Sequence, residues 1–265
     1  MDKLKIGVVP YLNAKPLIYG LEEMHDEVDL VYAVPSVLPT IFEEGKLDVV
    51  LMPSVNYFCS NNAYKIIPGC SISSNGSVES VKLFIRAPKI EMIKVVALDR
   101  NSLTSCVLTK IILLKRYSIK PEYIVLEDKS KVNDEGIDAF LIIGDNAMKL
   151  SEEGFRVLDL GSEWKEMVGF PFVYAVWVTR SGSQLSGVNK LFKDAKERGL
   201  MSLDRIASVE SERVHLEKER CLRYLRDSIK YQLGEQEIRG LETFYRCALE
   251  LGEVCEGVKI EFNDV

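Results

Sequence analysis

Residues 4–52, LKIGVVPYLNAKPLIYGLEEMHDEVDLVYAVPSVLPTIFEEGKLDVVLM, hold three short apolar runs with a helical pattern between each pair. The run at 4–9 reads as a buried strand. A helix follows over 16–23, with Pro16 in its first turn, where the missing N–H has no intrahelical role. Residues 28–34 form the next strand. Ser36 can cap a helix that reaches Glu44, and Gly45 ends it. Residues 47–52 are a third strand. Strand, helix, strand, helix, strand implies a parallel sheet with helices on its faces.

Working outward, residues 81–86 read as a strand leading out of this first unit, and 94–98 begin a second. The polar turn DRNSLTS at 99–105 opens a helix whose Val107, Leu108, Ile111, Ile112 and Leu114 cluster on one buried face. Further strands are expected at 123–126 and 137–143. A long apolar strand at 172–179 returns the chain to the first unit. After Arg180 the character changes. Residues 203–265 are charged and helical, with Leu222, Leu225, Ile229 and Leu233 at spacings of three and four. The expected architecture is α/β, in two lobes joined by two crossovers. Lobe 1 takes residues 1–84 and 176–265, with the C-terminal helices packed on it, and lobe 2 takes 85–175.

The 265 residues are 47% hydrophobic and 28% charged, the mix of a soluble globular protein. A net charge of -6 argues against a nucleic-acid partner. No apolar stretch approaches the roughly 18 residues that span a bilayer. The opening residues lack the pattern of a secretory leader, so a cytoplasmic location and no membrane partner are expected. Six cysteines occur without a CxxC pair, which reads as reduced thiols. The two histidines, His25 and His215, sit among charges, so neither a metal site nor a Ser-His-Asp triad is expected. GxxxxGK[ST], GxGxxG, HExxH and GxSxG are all absent.

What remains is a set of polar turns at strand ends, where α/β proteins place ligands. VPYLNAKPL at 9–17 is stiffened by two prolines and offers Tyr11 and Asn13; Asn13 fits a site amide or a helix cap equally well. Ser54 follows the third strand and can present its hydroxyl at a helix start or simply cap it. In GSVES at 76–80, Ser80 faces the cleft if the following strand is the crossover. Ser102, Thr104 and Ser105 gather hydroxyls at a helix start, a fitting receptor for a carboxylate or a redundant cap. Gly144 and Asp145 follow the strand at 137–143; Asp145 suits a cap, a pairing across lobes or a ligand contact.

Taken in order, VPYLNAKPL, LDVVLMPSVNYF, SNGSVESVKLF, ALDRNSLTS, LIIGDNAM, DLGSEW and GFPFVYAVWV resemble the chorismate dehydratase family, which opens the futalosine route to menaquinone. They spread over residues 5–178. Asn56 departs from an acidic residue in the family's strand-end motif, and Met167-Val168 from a threonine-containing approach to GxPF. The resemblance implies a two-lobed, type II periplasmic-binding-protein-like fold with the ligand between lobes. It implies loss of water from chorismate, giving 3-[(1-carboxyvinyl)oxy]benzoate, with no cofactor and no metal. Asn13 and Ser80 would be catalytic. Tyr11, Ser54, Ser102, Thr104, Ser105, Gly144 and Asp145 would bind the substrate. The competing readings are a non-catalytic binding protein for small anions and an intracellular ligand sensor. Oligomeric state, a homodimer included, is not legible in the sequence.

Overall fold

The computed structural model describes residues 3–99, 101–126, 136–183 and 185–264. Among these the strands form two five-stranded sheets. The first is built from β1 (Leu4–Val8), β2 (Val28–Tyr32), β3 (Val49–Pro53), β4 (Tyr64–Ser74) and, from much later in the chain, β10 (Phe172–Arg180). Its order is β2-β1-β3-β10-β4. The opening triplet is parallel as expected: Ile6 of β1 pairs with Leu30 of β2 and with Val49 of β3. β10 runs antiparallel to both β3 and β4. All five residues of β3 are buried, as befits an inner strand paired on both edges and covered on both faces.

Between these strands lie α1 (Lys15–Glu22), α2 (Leu38–Glu43) and the single turn α3 (Ser54–Tyr57). Ser36 does not cap α2. Val37 holds that position, and the Ser36 hydroxyl donates instead to Asn101 of the other lobe.

The second sheet has the order β7-β6-β8-β5-β9. It comprises β5 (Val81–Ile85), β6 (Val95–Leu98), β7 (Glu122–Val125), β8 (Ala139–Ile143) and β9 (Arg156–Asp159). α4 (Leu103–Lys115), α5 (Asp145–Lys149) and α6 (Leu160–Val168) belong to this lobe. β5 pairs along its whole length, with β8 on one side and β9 on the other. The chain therefore changes sheets in residues 75–80 and again across α6 and residues 169–171. The boundaries expected at 84/85 and 175/176 fall inside β5 and β10. Both sheet changes lie N-terminal of those positions, outside the strands themselves.

The tail holds α7 (Val188–Met201), α8 (Leu203–Val214), α9 (Lys218–Arg223) and α10 (Glu235–Glu250). α7 lies directly against α1: a Cβ at Gly199 would stand 1.8 Å from the Pro16 carbonyl oxygen, and one at Gly20 would stand 2.8 Å from Ala195 Cα. The four residues Leu222, Leu225, Ile229 and Leu233 do not share one helix. α9 widens into a π-type turn at Tyr224–Ser228, and the chain then runs extended along the open edge of β4. Ser71 and Ser73 donate their N–H groups to the Tyr231 and Lys230 carbonyls, which seals an edge that would otherwise invite pairing. α10 rests on the second crossover, with Gly240 at Pro171, and buried Trp164, Phe172 and Phe244 pack edge-on where the lobes and tail meet. No helix among the described residues is long and apolar enough to cross a membrane.

Candidate active site

The cleft between the lobes is a pocket with about 620 Å³ of space free of protein atoms, part of it open to solvent. Tyr11, Asn13, Ser80, Ser102, Thr104, Ser105 and Gly144 line it, joined by Tyr174 and an apolar set that includes Val9, Leu51, Ile72 and Ile143. Among the described residues the wall carries no charged side chain.

The first wall follows β1. A short 3₁₀ turn, Leu12–Ala14, leads into α1 and carries Asn13 at the cleft. Neither Asn13 nor any other residue caps α1 through a side chain. The Asn13 Oδ1 is buried with no hydrogen-bond partner among the described residues. An amide oxygen left unmatched at a pocket wall is open to a donor that enters the pocket, water or ligand. Tyr11 packs its ring against Gly144. Burial first, then the nearby Asp99 and Asp145 carboxylates, push its phenol up to about 12, so it stays a neutral donor.

Ser80 stands where the chain first changes sheets, and its backbone is fixed on both sides. Its N–H donates to the Val78 carbonyl at 2.7 Å, and its carbonyl accepts from Gly144 N–H at 2.7 Å. The preceding loop is gathered by one carboxylate. Asp159 accepts from the Ser77 hydroxyl at 2.9 Å, from Val78 N–H at 3.0 Å, from Glu79 N–H at 2.7 Å and from Ser162 N–H at 3.0 Å. The last of these bonds caps α6. Ser80 itself is 1% exposed and receives a hydrogen bond from the Tyr224 hydroxyl at 2.8 Å.

The second wall is the start of α4. Ser102 occupies the N-cap position but makes no capping bond; its hydroxyl donates to Ser105 Oγ at 2.8 Å. Thr104 Oγ1 accepts the Val55 N–H at 3.2 Å across the lobes, which leaves its own proton to give. The first-turn N–H groups of a helix have no intrahelical partners, and the dipole adds positive potential there. Hydroxyls and N–H groups converging at one end of a cleft can hold a carboxylate without a cation.

Two expected ligand contacts stand outside the wall. The Ser54 side chain is fully buried and donates to the Val173 carbonyl at 2.7 Å, so its hydroxyl ties α3 to β10. Asp145 accepts Leu12 N–H at 3.3 Å and lies 3.7 Å from Arg213, fastening the β1 turn to the second lobe. Burial raises its pKa, and the Leu12 N–H and the Arg213 charge oppose that rise. Asn56, the departure in the strand-end motif, also lies off the wall, with its Oδ1 buried and unbonded among the described residues.

Two tyrosines of the site are not among the expected site residues. Tyr174 lines the pocket and shares a hydrogen bond with Ser74 at 3.2 Å. It lies inside an apolar strand whose aromatics suit a pocket wall or packing at the lobe junction. Tyr224 stands behind Ser80 from the tail, in a run of charged residues that gives no hint of the cleft.

A family model described as menaquinone biosynthesis matches residues 4–250. The chain is 28% identical to the chorismate dehydratase of Thermus thermophilus, over 90% of this chain and 93% of that protein. In structure it is similar to the Candida albicans CA3427 gene product, a protein with the generic periplasmic binding protein fold (TM-score 0.68, 12% identity, 100% of this chain and 98% of that one). It is also similar to the alkanesulfonate-binding protein SsuA from Xanthomonas axonopodis pv. citri bound to MOPS (TM-score 0.72, 13% identity, 98% and 96%). The two lobes thus have the periplasmic-binding-protein fold, and a match running from β1 to the end of α10 means that this chain belongs to the menaquinone biosynthesis family.

Proposed function

We propose that the chain is a hydro-lyase that removes water from chorismate to give 3-[(1-carboxyvinyl)oxy]benzoate, at the start of the futalosine route to menaquinone. The observation that carries this reading is the pairing of two unlike walls in one cleft. A hydroxyl-rich helix start suited to a carboxylate faces Asn13 and Ser80, an acceptor and a donor suited to an alcohol. Chorismate carries both kinds of group. The family match and the chorismate dehydratase relative support the same assignment.

The chemistry follows from the groups present. The C–H bond on the ether-bearing ring carbon breaks, its electron pair enters the ring, and the neighbouring C–O bond breaks. The ring becomes aromatic, so the driving force lies in the substrate, and the protein orients groups and stabilises charge. Thr104, Ser105 and the first turn of α4 hold the ring carboxylate, which takes up negative charge as the proton leaves. The substrate hydroxyl donates to Asn13 Oδ1 and accepts from Ser80. Its departure as hydroxide strengthens the Ser80 bond. The described wall offers no carboxylate or imidazole to serve as base. The substrate's own enolpyruvyl carboxylate takes the proton and returns it to the hydroxide, which leaves as water. Closure of the lobes over the ligand excludes solvent from these contacts.

The test is purified protein incubated with chorismate and followed by liquid chromatography and mass spectrometry. The expected result is an aromatic product one water lighter, formed at least about 100-fold more slowly by Asn13→Ala, the scale of a lost transition-state hydrogen bond. The likeness to SsuA favours a second reading, capture of a small anion without turnover. Chorismate bound tightly but recovered intact would establish that reading instead.

A further inference from the structure

Tyr224 stands behind the cleft wall at Ser80, carried by the tail and not by either sheet. α9 ends at Arg223, and the π-type turn Tyr224–Ser228 swings the chain out toward the edge of β4. Such turns are uncommon and are frequently found at functional sites. Two bonds fasten this turn to the crossover loop. The Tyr224 hydroxyl donates to Ser80 Oγ at 2.8 Å, and the Ser228 hydroxyl donates to the Glu79 carboxylate. The Tyr224 side chain is fully buried, and burial raises its pKa far enough that it remains a donor at every ordinary pH.

A serine hydroxyl has one proton and rotates freely about its Cβ–Oγ bond. The Ser80 backbone is held on both sides by Val78 and Gly144, so only the side-chain rotation is left to fix. We propose that Tyr224 is a positioning residue for the dehydration: by occupying one lone pair of Ser80 Oγ it turns the Ser80 proton toward the departing hydroxyl of the substrate. Donation then runs in one direction, from the tyrosine to the serine to the ligand. Each bond polarises the next, so Ser80 becomes a better donor as negative charge develops. The role rests on the chorismate reading above.

The experiment compares wild type, Tyr224→Phe, Ser80→Ala and the double variant with chorismate, after circular dichroism and thermal unfolding confirm that each is folded. Tyr224→Phe keeps the ring and removes only the hydroxyl. Its kcat and kcat/KM should fall together, by about tenfold to a hundredfold, with KM unmoved. The double variant should be no slower than Ser80→Ala, because Tyr224 acts through Ser80. An undiminished kcat in Tyr224→Phe overturns the role, and so do losses that multiply in the double variant or a change confined to KM. Should Tyr224→Phe fail to fold, 3-fluorotyrosine at the same position keeps the ring and strengthens the donor. A higher kcat at constant KM then supports the role, and an unchanged kcat overturns it. Intact chorismate with the wild-type protein overturns the dehydratase reading and takes the Tyr224 role with it. Turnover by wild type with an undiminished Tyr224→Phe removes the Tyr224 role alone.

Discussion

At Gly144 the backbone turns at φ 66°, ψ -152° between β8 and α5, and a Cβ there would stand 3.3 Å from Tyr11 Cδ1. That region of backbone space is essentially closed to side chains, at a cost of about 1–3 kcal/mol. Gly144→Ala should therefore lower the thermal midpoint and press the Tyr11 ring into the cleft. We expect chorismate to show a raised KM that exceeds the loss in kcat. A variant with wild-type unfolding and wild-type KM would mean that the turn relaxes at no cost. Gly144 can be read from the sequence because a glycine after an apolar strand marks a sharp turn by itself. Ser54 cannot. Its position after β3 is the same kind of position, but what decides its role is the Val173 carbonyl, 119 residues away. Asp145 is a similar case, since its partners Leu12 and Arg213 come from other parts of the chain. Hydroxyls and carboxylates at strand ends are legible as candidates; whether they face ligand or protein depends on partners that sequence spacing does not reveal.

Among the elements, the loop before β5 depends on a neighbour rather than on its own residues. Asp159, at the end of β9, holds three consecutive residues of that loop and caps α6 as well. Asp159→Ala should cost at least about 1 kcal/mol for the cap alone. It should also slow turnover, because Ser80 follows directly on the freed loop. Urea unfolding and chorismate kinetics on one preparation measure both, and a loss of stability with unchanged kcat would show that Ser80 is held without the loop. β9 is only four residues long and half exposed, so no alternation announces it. β4 is hidden in the sequence for a different reason. Its Pro68, Gly69 and buried Ser71, Ser73 and Ser74 break the apolar pattern, and its open edge is closed by main chain from the tail. Of the stripe Leu222, Leu225, Ile229 and Leu233 the last three are buried and Leu222 only partly, yet a spacing of four fits an extended segment as well as a helix, and Ile229, Tyr231 and Leu233 take the extended form. The parallel opening triplet is legible because each of its strands carries its own apolar signal.

At the scale of the molecule, phenols wholly or partly withdrawn from water in both lobes and the tail set how the protein responds to alkali. Burial pushes Tyr11, Tyr64 and Tyr123 up to about 12 from an ordinary 10.0. Carboxylates add to each shift: Asp99 and Asp145 for Tyr11, Glu43 for Tyr64, and Glu253 for Tyr123. The Asp99 and Asp145 contributions reach Tyr11 from the opposite lobe, so that part of its shift exists only while the lobes keep this spacing. Tyr32 and Tyr224 are raised further. The folded chain thus keeps protons that the unfolded chain releases above pH 10, and unfolding is favoured as those protons are lost. Stability from these groups is fully present below pH 10 and is lost as the pH rises from 10.0 toward about 12. Urea midpoints should accordingly hold level up to pH 10 and then fall steeply. Tyr11→Phe removes one of the released protons and should flatten part of that fall. Chorismate, which binds the folded state, should delay it, because a ligand at about 100 times its Kd adds about 2.7 kcal/mol. Midpoints that stay constant through this range, or a fall that Tyr11→Phe leaves as steep, would mean that the Tyr11 phenol reaches solvent and that the lobes stand apart in solution.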